Sequence, residues 1–594
     1  MTPRTATWAS LLALTLGAFV YLHNLGSEHA ATNPDEHLYW QITRMTAESG
    51  EWLPLKNLNP PERNTKPPAL FWQGIVATDW GRHWEIWRLR LPVALYTLAT
   101  AALVLLVGRQ LSGDTRTGLL ASLVFLAFFS TYRYGRIVFT SAPETFWFFL
   151  PFAILLLRGR AAGGLTWGWA AAFGLMVGAG LFYKSFALVI PFAAGLSWWT
   201  LQERSYRLPA WLRADAPKIA LTALLAVVVF SMWFLLDPEP GNIWRDFVLK
   251  ENVGKFDAKG GSYLVNMLAG GRSIWPILFG YFVHAGLLAP AFAYLCWLAW
   301  RQRVTLTGPE KLLWIWVITQ VVIFALPNHR YEHYLLPAMP AVAVLLALRW
   351  QEIPRWALAI ALVAVAAVSL VFLVGAIVLT NEVGEGALYP WFAWVLLAAI
   401  AAFAAAGAWR PDRTRRFACP AILLLYLAYA LFLIPFDGPR GTFDRAAVED
   451  VRGRTVILPT VYGAHDEVYR FMLPGADVQT ARVEPPADLE AMRREHTLFI
   501  LGVPARDHTT ERTPGLRVLG ARLNLVDRFT GKESKDMLRG NITGQLFKKD
   551  LLIEVLADGA QDRGPAVRPQ PDRVASMRKD AGACQGGEPC LQTP

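Results

Sequence analysis

"RWALAIALVAVAAVSLVFLVGAIVLT", residues 355 to 380, carries a single charge, at its first position. A bilayer core takes about 20 mainly apolar residues per crossing helix, and this run is long enough to cross it. Comparable runs lie at about 7–23, 89–109, 117–132, 143–157, 166–183, 186–201, 218–236, 274–300, 311–327, 334–349, 390–409 and 417–435. With 355–380 they predict thirteen spans and an α-helical polytopic membrane protein. Composition agrees: of 594 residues 54% are hydrophobic and 17% charged, and mean hydropathy is +0.31, outside the range of ordinary soluble enzymes.

The formal charge of +11 is a topology signal rather than a nucleic-acid footprint, because no basic run is interleaved with aromatics. Arg109 and Arg116, Arg158 and Arg160, Arg204 and Arg207, Arg301 and Arg303, and the run Arg410, Arg413, Arg415 and Arg416 fall in alternate short loops. Such loops stay in the cytoplasm. Two long connections, 24–88 and 237–273, then face outward, as does everything after 436. Arg133, Arg136, Lys184 and Arg330 are left on the outer side, where a group of cations suits an anion.

After residue 436 the pattern changes. "RTVILPTVYG" (454–463), "HTLFILGVPA" (496–505) and "LRVLGARLNL" (516–525) alternate with helix-like "PADLEAMRRE" (486–495). This predicts a small α/β domain over 437–557, behind a membrane domain of 1–436. Residues 558–594, rich in Gly, Pro and charge, are expected to be disordered. Of four cysteines, Cys296 and Cys419 lie in apolar runs; Cys584 and Cys590 are in the tail, without zinc-site spacing and able to pair if exported. "HDE" at 465–467 reads as surface charge, since adjacent side chains point apart. "NIT" at Asn541 is a common chance triplet.

Connection 24–88 is too long for a simple link. In "DEHLYWQITRMTAESGEW" (35–52), Leu38, Ile42, Met45 and Trp52 form an apolar stripe and Gly50 supplies a stop. The expected helix lies along the membrane surface. Asp35 and Glu36 occupy its N-terminus, where the helix dipole favours carboxylates and Asn33 or Asp35 can cap. Farther on, "NTKPPALFWQ" (64–73) presents Lys66 from a turn stiffened by two prolines.

Pro34, Asp35, Glu36, Tyr39, Ile42, Met45, Gly50, Glu51, Trp52, Lys66, Pro67 and Pro68 together resemble the first periplasmic loop of the lipid A aminoarabinose transferases. These are grouped with the protein O-mannosyltransferases in the GT-C superfamily of membrane glycosyltransferases. The likeness continues in "GRIVFTSAPETFWFF" (135–149), "GLFYKSFALVIP" (180–191) and "NHRYEHYLLPAMPAVAVLLA" (328–347), and covers roughly residues 1–436.

The resemblance implies a GT-C fold in the bacterial inner membrane, with the active site and C-terminal domain facing the periplasm. It implies transfer of a sugar from undecaprenyl phosphate, by inverting displacement, to an acceptor such as lipid A, a protein or another envelope glycan. Asp35 would be the base or charge stabiliser, with Glu36 assisting by binding or orienting. Lys66, Arg136, Lys184 and Arg330 would stabilise the phosphate leaving group in a partly dehydrated site. Tyr39, Glu144 and His333 complete the expected binding set. No cofactor is required; a divalent cation bridging Asp35, Glu144 and a phosphate would suit oxygen ligands.

Three positions depart from the family pattern. Leu38 stands where relatives carry Arg, Thr65 where they often carry Glu, and Ser141 where they carry an acid that Glu144 could replace. Since these sites surround the expected chemistry, the sugar need not be aminoarabinose. A lipid or sugar flippase, the rival of another class, would be expected to show inverted repeats, and none is evident.

Overall fold

The computed structural model describes residues 3–556 apart from 31–32, 58–62, 159–164, 257–262, 270–272, 304, 329, 385–386, 461–463, 482–488, 527–528 and 530. The expected tail from 558, with Cys584 and Cys590, lies outside the described residues.

The chain is a mostly helical, multi-pass membrane protein with a small C-terminal sheet. Helix α1 (Pro3–Leu22) leads to α2 (Pro34–Glu48), α3 (Ala69–Ala77) and α4 (Ile86–Ser112). Among the described residues seven helices are long and apolar enough to cross a bilayer, including α4, Ala216–Leu236, Arg355–Val383 and Thr414–Phe432. Shorter apolar helices such as Thr115–Ala127 and Trp167–Leu181 pack between them. Several expected spans are subdivided: run 117–132 breaks at Phe128, and run 334–349 begins as a 3₁₀ segment, Glu332–Ala338, before the helix Met339–Leu348.

The C-terminal strands β3 (Thr455–Pro459), β4 (Asp477–Ala481), β5 (Leu498–Pro504), β6 (Leu516–Leu525) and β7 (Phe547–Val555) follow a two-stranded ribbon, β1 (Leu55–Lys56) with β2 (Arg63–Asn64). They form one sheet in the order β4-β3-β5-β7-β6. β3 runs parallel to β4 and β5, while β7 is antiparallel to β5 and β6. Strand β5 is buried along most of its length, consistent with its place in the middle of the sheet.

Ion pairs fix which end of the helical bundle carries this sheet. Arg522 of β6 pairs with Glu28 at 2.9 Å, and Arg44 of α2 pairs with Glu467 at 2.6 Å. The first long connection and the sheet therefore meet on one side. The helix Arg355–Val383 has 29 residues, about 43 Å at 1.5 Å per residue. Its Glu382 accepts a hydrogen bond from Thr543 of the C-terminal unit, while Arg355, at the other end, donates to the Ala408 and Trp409 carbonyls. The Arg-rich loops at this far end also satisfy helix-terminal carbonyls, a use of cations that suits the negative pole of a helix.

Two expectations are corrected here. Helix α2 does not turn one face to water. Ile42 is buried on its striped side, and Trp40, Gln41 and Thr43 are buried as well, because the C-terminal helix Asp466–Met472 covers the face that the stripe leaves polar. For the same reason "HDE" is not surface charge: Asp466 is 4% and Glu467 0% exposed, and both are ion-paired.

Candidate active site

The site is organised by the first turn of α2. Asn33 caps the helix from an extended backbone, its side-chain oxygen accepting from the Asp35 amide at 2.9 Å, and Pro34 occupies the position where its missing donor costs nothing. Because Asn33 caps, the Asp35 carboxylate is not needed for that purpose. It is exposed, and among the described residues it is recorded with no hydrogen-bond donor or ion-pair partner.

Glu36, the next residue, is 1% exposed. Arg90 of α4 grips it with two hydrogen bonds of 2.7 Å, and the Val138 amide donates to it at 2.8 Å. Arg90 uses its remaining donors on the Leu25 and Ser27 carbonyls. A buried pair satisfied on every side in this way holds its neighbours in register. Glu36 thus orients the turn that displays Asp35.

One turn along α2, Tyr39 lies beneath the Lys66 ammonium, 5.8 Å from the ring centroid. Its ring stacks on Phe139 and meets Phe71 edge-on. Burial pushes the Tyr39 phenol well above its ordinary range, and the nearby charges of Asp35, Glu251 and Glu144 push it further. Tyr39 is therefore a neutral hydroxyl among three carboxylates. Lys66 leaves the turn whose amide is fixed by the Asn64 side chain at 3.0 Å. No carboxylate among the described residues is recorded in an ion pair with it.

The opposite wall comes from the loops that resembled the family elsewhere. Lys184 lies 3.2 Å from one Glu144 oxygen and 3.3 Å from the other, above the Tyr334 ring at 5.2 Å. Ser185, the next residue, donates to Asn252 at 2.7 Å, which ties this wall to a π-helical segment, Ile243–Asn252, bearing Glu251. His333 packs against Phe139, Tyr134, Tyr331 and Tyr334. Phe139 touches Tyr39, Lys184 and His333, so it joins the two walls.

Two predicted cations are engaged outside this group. Arg136 is buried, stacks on Tyr132 and donates to its hydroxyl at 2.7 Å and to the His23 carbonyl. Arg330 is buried, donating to the Ala325 carbonyl at 2.7 Å and to Tyr263 at 3.2 Å. Both are fixed in bonds to the chain itself. Ser141, at the position of the family acid, is buried and faces a small hydroxyl-lined cavity with Ser130. Glu144 supplies the nearby carboxylate, but with both oxygens facing Lys184 an ion bridging it to Asp35 would compete with that ammonium. Among the described residues no group of three or more His, Cys, Asp or Glu is arranged to hold a metal.

Arg90, Phe139, Tyr334 and Glu251 were not anticipated. Arg90 had a signal: a guanidinium at the mouth of an apolar run needs an acid, and Glu36 was in reach. An apolar cavity of about 980 Å³ is lined by Trp52, Ala69, Trp72, Gln73, Tyr183 and Leu236, among others. Its polar trace is a chain in which Tyr183 donates to Gln73 at 3.1 Å and meets Tyr96 at 3.0 Å.

Known proteins bear on this geometry. The family described as dolichyl-phosphate-mannose-protein mannosyltransferase matches residues 7–245. An undecaprenyl phosphate-α-4-amino-4-deoxy-L-arabinose arabinosyl transferase of Pseudomonas fluorescens strain Pf0-1 is 28% identical over 352 residues, 57% of this chain and 59% of the relative. Another, of Sodalis glossinidius, is 29% identical over 400 residues, 65% of this chain and 66% of the relative. The chain thus spans less than two thirds of the length of these curated relatives. The crystal structure of ArnT from Cupriavidus metallidurans bound to undecaprenyl phosphate superposes with a TM-score of 0.57 at 17% identity, covering 91% of this chain and 97% of that one. Its apo form gives the same TM-score over 92% and 98%. The chain therefore shares the fold of that ArnT and is similar in sequence to undecaprenyl phosphate-α-4-amino-4-deoxy-L-arabinose arabinosyl transferases and, over residues 7–245, to the mannosyltransferase family.

Proposed function

We propose that this protein is a membrane glycosyltransferase that takes a sugar from undecaprenyl phosphate and passes it to an acceptor on the periplasmic side, lipid A foremost. The observation that carries the reading is an exposed carboxylate, Asp35, one turn before Tyr39 on the same helix, with the Lys66 ammonium over the Tyr39 ring. Residues 1–436 act as the catalytic unit and 437–557 as an exported domain.

In this reading the prenyl chain occupies the cavity beside Trp72 and Leu236, and the phosphate meets Lys66. Lys184 and its Glu144 partner face the sugar. Displacement at the anomeric carbon leaves negative charge on the phosphate, which Lys66 stabilises, and positive character on the sugar, which Asp35 stabilises. Where the acceptor is a hydroxyl, Asp35 also removes its proton; where it is a phosphate, already ionised, Asp35 only positions it. Glu36 and Arg90 hold the turn. The match to the protein mannosyltransferases over residues 7–245 favours a second reading in which the acceptor is a protein.

Mass spectrometry of lipid A, envelope glycans and envelope proteins from a deletion strain against its parent tests both. Loss of one sugar from lipid A supports the first reading, and loss from a protein the second. An unchanged envelope, with no transfer by the purified protein from undecaprenyl-phosphate sugars, overturns them.

A further inference from the structure

Helix α2 is held from two directions. On the membrane side, Glu36 is locked to Arg90. On the other side the grip comes from the C-terminal helix Asp466–Met472. Glu467, 0% exposed, accepts from Arg44 at 2.6 and 3.0 Å, a two-point bond between residues 423 apart in the chain. Phe471 stacks on Trp84 at 5.4 Å and meets Trp40 edge-on at 5.2 Å. Burial raises the Glu467 carboxyl above its ordinary range, with Arg44 acting against that shift.

Arg44 is nine residues from Asp35 on the same continuous helix, about 14 Å along a rod that transmits axial shifts from end to end. A bidentate guanidinium–carboxylate bond fixes both distance and rotation. Its partner residue belongs to a different unit of the fold from Lys66, Glu144 and Lys184. A unit that only captured an acceptor would need no grip on the helix that displays Asp35.

We propose that Glu467 is a positioning residue: through Arg44 it sets the axial and rotational placement of α2, and with it the Asp35 carboxylate opposite Lys66. The C-terminal unit is thereby part of the catalytic assembly. This rests on the reading of Asp35 as the residue acting at the sugar.

The test uses the full-length protein in lipid nanodiscs. In Glu467→Gln, kcat is expected to fall about 10- to 100-fold, with the KM for undecaprenyl-phosphate sugar within twofold of the parent. Amide hydrogen exchange across residues 36–48, measured without substrate, is expected to quicken. The doubly substituted Arg44→Met/Glu467→Met protein removes both charges of the buried bond, leaving Glu48 exposed to solvent and Arg470 paired with Asp466, and is expected to be as slow as Glu467→Gln. Parental kcat in both Glu467→Gln and the double Met protein, or unchanged exchange in α2, overturns the proposal. The exchange measurement needs no turnover, so a parent protein without transferase activity would sink the functional reading and leave the coupling to be judged separately.

Discussion

The carboxylate of Glu36 and the guanidinium of Arg90, 54 residues apart in sequence, are joined by two hydrogen bonds of 2.7 Å each inside the protein. Their neighbour Asp35 is exposed and meets no such partner among the described residues. In the proposed function the two adjacent acids receive opposite assignments, one to hold the turn and one to act from it. That division makes the two separable by mutation.

Asp35→Asn is expected to lower sugar transfer by about 100- to 10,000-fold, the usual range for a group acting in the transition state, while leaving the unfolding temperature in detergent near that of the parent. Initial rates with a synthetic undecaprenyl-phosphate sugar, alongside a thermal melt, check it. Parental rates would remove Asp35 from the mechanism.

Glu36→Gln should behave in the reverse manner. It leaves Arg90 charged and buried without a counter-ion, which costs about 3–5 kcal/mol, so denaturation should move first and activity follow it. Glu36→Leu combined with Arg90→Met removes both charges and should regain a large part of that stability. A chemical denaturation series on the three proteins measures the difference.

In the proposed function Lys66 meets the donor phosphate, so Lys66→Ala removes a charged contact worth about 1.5–3 kcal/mol. Donor KM or Kd should rise by about 10- to 100-fold, with Lys66→Arg much milder. Titration with undecaprenyl phosphate, without sugar or acceptor, reads this contact directly.

His29 makes stability depend on pH. Its Nδ1 lies 3.4 Å from Asp437, and its Nε2 lies 3.2 Å from Glu28 and 3.2 Å from the Asn524 side-chain oxygen. Burial lowers its pKa and Arg522 opposes its charge, but Glu28 and Asp437 outweigh both and raise it overall. A raised folded-state value means that the stabilisation is complete below the unfolded pKa of about 6.5. It is lost as pH rises through the higher folded value. Melting temperatures taken across neutral to mildly alkaline pH should therefore fall more steeply in the parent than in His29→Gln.

Local pattern made the helical, multi-pass character legible, along with α2 and the strands after residue 454; of the thirteen expected spans, seven helices among the described residues are long and apolar enough to cross a bilayer. Apolar run length and the helical spacing of Leu38, Ile42 and Met45 are properties of a short window of sequence. Asp35 and Lys66 stood out because a capped helix start and a Lys-Pro-Pro turn are also local. Run 355–380 became the helix Arg355–Val383, longer than the apolar stretch at its C-terminal end because Asn381 and Glu382 continue the helix past it.

Tertiary structure decided the rest. Nothing near Glu36 announces Arg90, nothing near Glu144 announces Lys184 40 residues away, and Arg44 gives no sign of Glu467. These charges find partners only when helices pack, since an unpaired charge inside a fold is costly and the packing determines which opposite charge is in reach. That is why "HDE" reads as surface charge in isolation and is buried in the protein. It is also why Arg136 and Arg330, cations on the expected side, turn to their own backbone and aromatic neighbours. The sequence determined which carboxylate and which ammonium to look for, Asp35 and Lys66; the fold determined which residues hold the segments that carry them.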